Sequence, residues 1–412
     1  MARTVVLVPS ALPDGEPAPD DGALPAEPLA RMGTCDFGVY VHVPFCATRC
    51  GYCDFNTYTA AELGGVSRDD YVDVLEREFA LAARVLGSAR RPASTVFVGG
   101  GTPTLLPADQ LARIVELVDR YIGLDGDAEV TTEANPETVD LEYLKTLRGN
   151  GFTRLSLGMQ STASHVLAVL ERQHTPGRAL RAAAEAREAG FDHVNLDLIY
   201  GTPGERPEDF AASLDAVVAS GCDHVSAYAL IVEGGTRLAR QVSRGRIPAP
   251  SDDVAADRYL AADRVLSDNG FAWYEVSNWA RGETARCRHN MLYWRNNNWW
   301  GFGPGAHSHV GGVRWWNAKH PARYGQRLGD GLSPAQGREL LTSRERHLED
   351  VMLWTRLSDG LASCALDEAG RRGARKALAD GLIDAASWDS GRVRLTLRGR
   401  LLADAVIRDL VS

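Results

Sequence analysis

Three cysteines stand close together as Cys46-Ala-Thr-Arg-Cys50-Gly-Tyr-Cys53. Thiolates at this spacing on one loop converge on a single soft metal centre. Their number is informative. A closed structural zinc site or a simple electron-transfer cluster generally takes four protein ligands. Three thiolates leave one iron open to a substrate or cofactor. The competing reading is a zinc loop completed by His42 or Cys35, since C-x2-C alone is common. The other cysteines, Cys35, Cys222, Cys287 and Cys364, are scattered, and the total of seven is odd. With no secretory signal at the start of the sequence, a disulfide framework is disfavoured and a reducing cytoplasm is expected.

A second group of residues is suited to holding a small polar ligand. Gly99-Gly100-Gly101-Thr102-Pro103-Thr104 lets backbone approach a ligand closely. Glu133 and Asp197 are carboxylates fit for an ammonium or for ribose hydroxyls, and Gln160 and Arg172 for a carboxylate. Singly, each reads as a capping or solvated residue, Arg172 above all. Their placement in the chain raises Glu133, Gln160 and Asp197 above that reading.

That placement comes from the elements around them. Six short segments rich in β-branched residues read as strands: Val39 to Val43, Thr95 to Val98, Glu129 to Thr132, Arg154 to Leu157, His193 to Ile199 and His224 to Leu230. Amphipathic stretches between them read as helices: Asp70 to Leu86, Ala108 to Ile122, Pro136 to Leu147, Pro176 to Ala189 and Pro207 to Ala219. Alternation of this kind implies an α/β fold on a parallel sheet. Six units suit a partial barrel, with a doubly wound sheet as the rival. The cysteines, the glycine run, Glu133, Gln160, Asp197 and Tyr228 all fall at strand C-terminal ends, where parallel α/β proteins build their sites.

Composition sets the outer bounds. The chain has 412 residues, 44% hydrophobic and 24% charged, with a net charge of -9. That is ordinary for a globular protein, and the acidic balance disfavours general nucleic-acid binding. No apolar run is long enough for a membrane span, which leaves only peripheral membrane contact open. Residues 1–34, rich in Pro, Ala, Asp and Gly, are expected to form a disordered leader. Residues 35–250 form the core domain. Pro248, Pro250 and Ser251-Asp252-Asp253 mark its end. Residues 251–412 are expected as a smaller α+β C-terminal domain. It would have a helix at Asp253 to Ser267, strands at Phe271 to Val276 and Val393 to Leu397, and a winged-helix-like end.

With these residues in hand, the sequence resembles the radical S-adenosylmethionine (SAM) oxygen-independent coproporphyrinogen III oxidase superfamily. The likeness lies in Val39-Tyr40-Val41-His42-Val43-Pro44-Phe45-Cys46 through Cys53, in GGGTPT, and in Glu133-Ala-Asn-Pro136. It continues in Ser156-Leu-Gly-Met-Gln160 and in Asn195-Leu-Asp197-Leu-Ile-Tyr-Gly-Thr-Pro203, and spans roughly residues 38–410. It implies a partial (β/α)6 barrel, a [4Fe-4S] cluster on Cys46, Cys50 and Cys53, and SAM bound to the open iron. Tyr40, Tyr52, Gly100, Gly101, Thr102, Glu133, Gln160, Arg172 and Asp197 are the implied SAM contacts. Some of these polar residues would serve a second SAM if one binds.

Two branches of the superfamily differ in chemistry. The oxidase decarboxylates two propionates of coproporphyrinogen III, and its cluster loop carries a further cysteine two residues after the third ligand. Here that position is Phe55. The other branch is a haem chaperone, which binds haem and passes it to acceptor apoproteins. Cys53-Asp-Phe-Asn56 and His289-Asn-Met-Leu-Tyr293-Trp294 look like that branch, which is the preferred reading. Residues 289–316 hold five of the nine tryptophans, with His289, His307 and His309. Such a segment offers haem a flat apolar slot. His289 is the first choice for the iron. The competing view makes the segment a structural aromatic cluster joining two domains.

Overall fold

The computed structural model describes residues 15–33, 35–63, 67–172 and 175–411. Among these residues thirteen strands join in one sheet. In chain order they are β1 (Glu16–Pro17), β2 (Phe37–Val43), β3 (Ala93–Gly100), β4 (Leu124–Ala134), β5 (Arg154–Gln160), β6 (His193–Tyr200) and β7 (His224–Ala229). There follow β8 (Ala272–Glu275), β9 (Asn278–Ala280), β10 (Asn298–Phe302), β11 (His307–Val310), β12 (Val313–Asn317) and β13 (Ala335–Leu340). Across the sheet the order is β1-β13-β12-β11-β10-β2-β3-β4-β5-β6-β7-β9-β8. β2 to β7 are parallel and lie side by side in chain order. That is the order of a barrel wall, whereas a doubly wound sheet reverses at a switch point. The expected six-unit partial barrel therefore forms.

Strand periodicity explains the wall. Val39, Val41, Val43, Val96 and Val98 are fully buried in the main core. Tyr40, His42, Phe97 and Gly99 alternate with them and face the other way. Helix Tyr71–Leu86 closes the valine face with Val72, Leu75, Phe79 and Ala82, all buried at helical spacing. Pro136 opens only the short turn Pro136–Thr138. The helix itself starts at Leu141, because the Asp140 carboxylate accepts the Tyr143 N–H at 2.8 Å and caps it there.

The expected domain division is corrected. Glu16 and Pro17 pair with Arg338 and Gly337, Asp20 meets Arg327, and Met32 is buried. The leader is therefore ordered from residue 15, because it borrows an existing sheet edge instead of needing a core of its own. Residues 1–14 and 34 lie outside the described residues. No break in the sheet occurs near residue 250. β9 pairs with β7 and β10 pairs with β2, so strands from beyond that point extend both edges of the core sheet. Phe302 on β10 stacks on Phe79 at 4.0 Å inside the main core. The residues after Thr342 gather a core of their own, around Val351, Leu361, Leu366, Ile383, Val393 and Val406, and Leu357 shares a small cluster with Tyr274 and Met291 of the preceding part. There the strand expected at Val393 to Leu397 is reduced to Arg392–Val393, paired with Leu361–Ala362.

Candidate functional site

The cysteine loop follows β2 and is pinned from several sides. The Gly101 N–H donates to Val43 O at 2.8 Å and the Thr102 N–H to Phe45 O at 2.7 Å. The Cys46 N–H donates to Tyr58 O and the Gly51 N–H to Leu170 O. Cys46 is buried, and Cys50 and Cys53 are half-buried. Burial pushes the Cys46 and Cys53 thiols up, Cys53 to about 11, and the neighbouring cysteines add to the effect. Such thiols ionise when a bound metal supplies the positive charge. The Arg172 Nη1 lies 3.6 Å from Cys50 Sγ and brings a cation to the same loop.

The zinc alternative finds no partners. His42 has both ring nitrogens engaged, with Tyr40 OH and Asn56 O, each at 2.9 Å. Cys35 precedes β2 and the cysteine loop follows it, so they stand at opposite ends of that strand.

The glycine run is packed so tightly that side chains are excluded. Gly100 has φ +110°, and a Cβ there would fall 2.7 Å from the His42 ring. At Gly101 a Cβ would fall 2.5 Å from Phe45 O. The Gly100 N–H donates to Glu133 Oε2 at 3.0 Å, and Thr102 Oγ1 is 4.0 Å from Cys46 Sγ. Burial, with Asp197 adding to it, pushes the Glu133 carboxyl up to about 7. Asp197 accepts from Asn195 Nδ2 at 2.7 Å and from Ser156 Oγ at 3.2 Å. Its carboxyl too is raised by burial. Gln160 adopts φ +65°, and its buried Oε1 has no partner among the described residues. The Arg172 Nε is likewise unpartnered, while its Nη2 donates to Gly158 O at 3.3 Å. Tyr52 packs beside Leu170 and Ile199. Tyr40, Tyr52, Gly100, Gly101, Thr102, Glu133, Gln160, Arg172 and Asp197 thus come together around the three cysteines.

His289 does not join them, and its expected role is corrected. Its Nδ1 bonds Thr95 Oγ1 and its Nε2 bonds Tyr293 OH, both at 2.8 Å, and the ring stacks on Phe97. The ring is 1% exposed. Helix Arg288–Trp294 stoppers the N-terminal end of the barrel strands. Glu129 at that end accepts the Arg288 and His289 N–H groups, each at 3.1 Å, and pairs with Arg154 at 2.9 Å. A carboxylate at a helix N-terminus is favourable. His289 is therefore a fixed structural residue with no nitrogen left for iron.

Sequence reasoning missed the wall opposite the cysteines. β11 and β12 form a hairpin turned at Gly311 and Gly312, both at positive φ. The signal was present, since Gly-Gly between two alternating segments favours a tight hairpin. His307, Arg314 and Trp316 on it line the space facing the cysteine loop. Asn56 in the cysteine loop was also missed. Its Nδ2 donates to Pro304 O at 2.9 Å and to Lys319 O at 2.8 Å, which ties the loop to that wall. Gly305 makes room for it, as a Cβ there would fall 2.4 Å from the Asn56 Nδ2. Between loop and wall lies a cleft of about 2570 Å³, lined by Tyr40, Cys50, Cys53, Phe55, Arg172, Trp299, His307 and Trp316 among others.

Comparison with known proteins agrees with this geometry. Residues 40–217 match the Radical SAM superfamily. The chain is 55% identical over 384 residues to "Heme chaperone HemW" of Mycobacterium tuberculosis (strain CDC 1551 / Oshkosh), covering 93% of this chain and 97% of that one. It is 31% identical to "Heme chaperone HemW" of Bacillus subtilis (strain 168), covering 89% and 97%. In structure it resembles the coproporphyrinogen III oxidase (HemN) of Escherichia coli, with a TM-score of 0.79 at 24% identity over 95% of this chain and 94% of that one. At that identity the likeness speaks for the fold.

Proposed function

Because the chain belongs to the haem chaperone HemW family of radical SAM proteins, we propose that it binds haem and hands it to acceptor apoproteins. The observation that carries this reading is the single cleft running from Cys50 and Cys53 to Trp299, His307 and Trp316. Its volume of about 2570 Å³ exceeds the roughly 300–1,000 Å³ of an ordinary small-molecule pocket. A flat macrocycle has room there beside SAM. Phe55, 63% exposed in the cysteine loop, adds apolar surface where the oxidase branch would place another cysteine.

The radical SAM family uses a [4Fe-4S] cluster and SAM. The cluster supplies an open iron for the amino and carboxylate groups of SAM and a source of one electron. Cys46, Cys50 and Cys53 would hold it. The Gly100–Thr102 backbone and Glu133 would receive the ammonium, and Arg172 and Gln160 the carboxylate. Asp197 would receive ribose hydroxyls, with Tyr40 and Tyr52 alongside. The unpartnered Arg172 Nε, a donor, supports its assignment to the carboxylate, because buried polar atoms are normally satisfied. We place the protein in the cytoplasm, in keeping with seven free cysteines. No helix among the described residues is long and apolar enough to cross a membrane.

The test is made on anaerobically reconstituted protein. Haem added to it is expected to shift its Soret band, and later addition of an apoprotein acceptor should move the haem to that partner. Coproporphyrinogen III with SAM and reductant should remain unconverted. Efficient decarboxylation without haem uptake would reverse the reading in favour of the oxidase.

A further inference from the structure

We propose that His307 is the side chain of this chain that ligates the haem iron, with Trp316 as the flat surface beside it and Lys319 at the rim for a propionate. The proposal rests on the haem-binding reading above and names the position within that cleft. Three histidines lie in the aromatic segment, and two do not reach the cleft. Both ring nitrogens of His289 are bonded. His309 is 4% exposed, gives its Nδ1 to Asn297 O at 3.0 Å, and keeps its unpartnered Nε2 buried away from the cleft lining. His307 is exposed, lines the cleft, and has no hydrogen bond at either ring nitrogen among the described residues.

Its backbone is nevertheless held firmly. His307 sits opposite Trp316 in the β11–β12 register. Its carbonyl accepts the Trp299 indole N–H at 3.0 Å. Gly301 on β10 faces that same carbonyl, and a Cβ there would fall 2.2 Å from it. The backbone fixes where the imidazole stands, and its unbonded ring nitrogens leave a lone pair open to a metal. The Trp316 ring lies 6.1 Å away, inclined by 31°, and lines the same cleft. It offers the apolar face that a macrocycle needs.

The charges nearby agree. Open to the cleft yet crowded by protein atoms, the His307 ring is held below its ordinary protonation range by lost solvation, then by Lys319 and Arg314. That favours the neutral imidazole, the form that binds metal. Arg314 is tied to Glu339 and Glu349. Lys319 has no acid within ion-pair distance among the described residues and lines the cleft. Its ammonium is available to a propionate carboxylate. The backbone of Lys319 is fixed to the cysteine loop by Asn56 and Tyr58, so this end of the wall is positioned relative to the cluster side.

The experiment titrates haemin into the reconstituted full-length wild type, H307A and H289A under anaerobic conditions. It reads the Soret position, the EPR spectrum of the ferric haem and the dissociation constant. H307A is expected to lose the histidine-ligation signature and to bind roughly tenfold more weakly or worse, and added imidazole should restore the signature. H289A is expected to keep the wild-type signature in its folded fraction. K319E gives a second reading, with weaker binding but an unchanged axial-ligand spectrum. An H307A protein with wild-type spectrum and affinity overturns the assignment. So does an H289A protein that alone loses the signature and is rescued by imidazole. A wild type that takes up no haem at all overturns both this proposal and the haem reading beneath it, which separates the two failures.

Discussion

At the scale of single residues, Glu133 shows how burial prepares a group for a charged ligand. Its carboxyl is raised to about 7 by burial, with Asp197 adding to the effect and the Gly100 N–H opposing it. Below that pH the group is neutral and offers a SAM ammonium no charge; above it, the group is ionised. SAM affinity of the reconstituted protein should therefore fall as pH drops below about 7, approaching tenfold per pH unit, and level off at higher pH. E133Q should bind more weakly at about pH 8 and lack this slope. Equilibrium dialysis with labelled SAM measures both, and a slope that persists in E133Q would assign the titration to another group. That Glu133, Gln160 and Asp197 lie at strand ends on the side of the cysteine loop was legible in the sequence, because strand periodicity fixes where each strand stops. His289 was misread because a sequence shows which residue carries nitrogens and not what those nitrogens already bond. His307 stood in the same aromatic run, but its freedom emerges only once the register of β11 on β12 is known.

At the scale of elements, the site depends on how the cysteine loop meets the β10–β12 extension. β10 adds to β2 as a parallel neighbour, Asn298 opposite Phe37. Nothing local in either segment signals a pairing so distant in the chain, which is why the six repeated units were legible and the extension was not. The contact between the two parts runs through Asn56 and through Tyr58, whose OH donates to Lys319 O and whose ring meets His320 edge-on. The N56A substitution removes its hydrogen bonds to Pro304 O and Lys319 O and its acceptance from Tyr58 OH. Each such bond contributes on the order of 1 kcal/mol. N56A should therefore lower the urea midpoint by an amount equivalent to about 3 kcal/mol and make the reconstituted cluster bleach faster in air. Unchanged stability together with unchanged bleaching would show that the loop is held without Asn56.

At the scale of the whole molecule, the prolines at 248 and 250 were taken for a domain boundary, yet they only connect helix Arg237–Ser243 to helix Asp252–Asp268. A loss of strand-helix rhythm marks a change of topology, here from crossovers to antiparallel additions at the sheet edges, and not the end of a core. The physical boundary lies near Thr342, where a second set of buried residues begins. This small unit reaches the site, because its first helix, Ser343–Trp354, lines the cleft with Glu349, Met352 and Leu353. Among its anchors to the sheet domain are Leu357, buried with Tyr274 and Met291, and Arg400, which meets Asp263 through two hydrogen bonds of 2.8 and 3.0 Å and stacks on Trp273 at 4.4 Å. Both partners are largely shielded from water, with side chains 11% and 13% exposed. Removing one partner of such a pair costs on the order of 3 kcal/mol. Separate cores open separately. R400A should therefore speed amide exchange throughout residues 343–412, while β2 to β7 keep their wild-type protection in hydrogen–deuterium exchange mass spectrometry. Haem affinity should fall alongside, because the helix that closes one side of the cleft is loosened while the cysteine loop is untouched. Faster exchange spread evenly over β2 to β7 would mean that the two cores unfold as one, and that the cleft wall cannot move without the barrel.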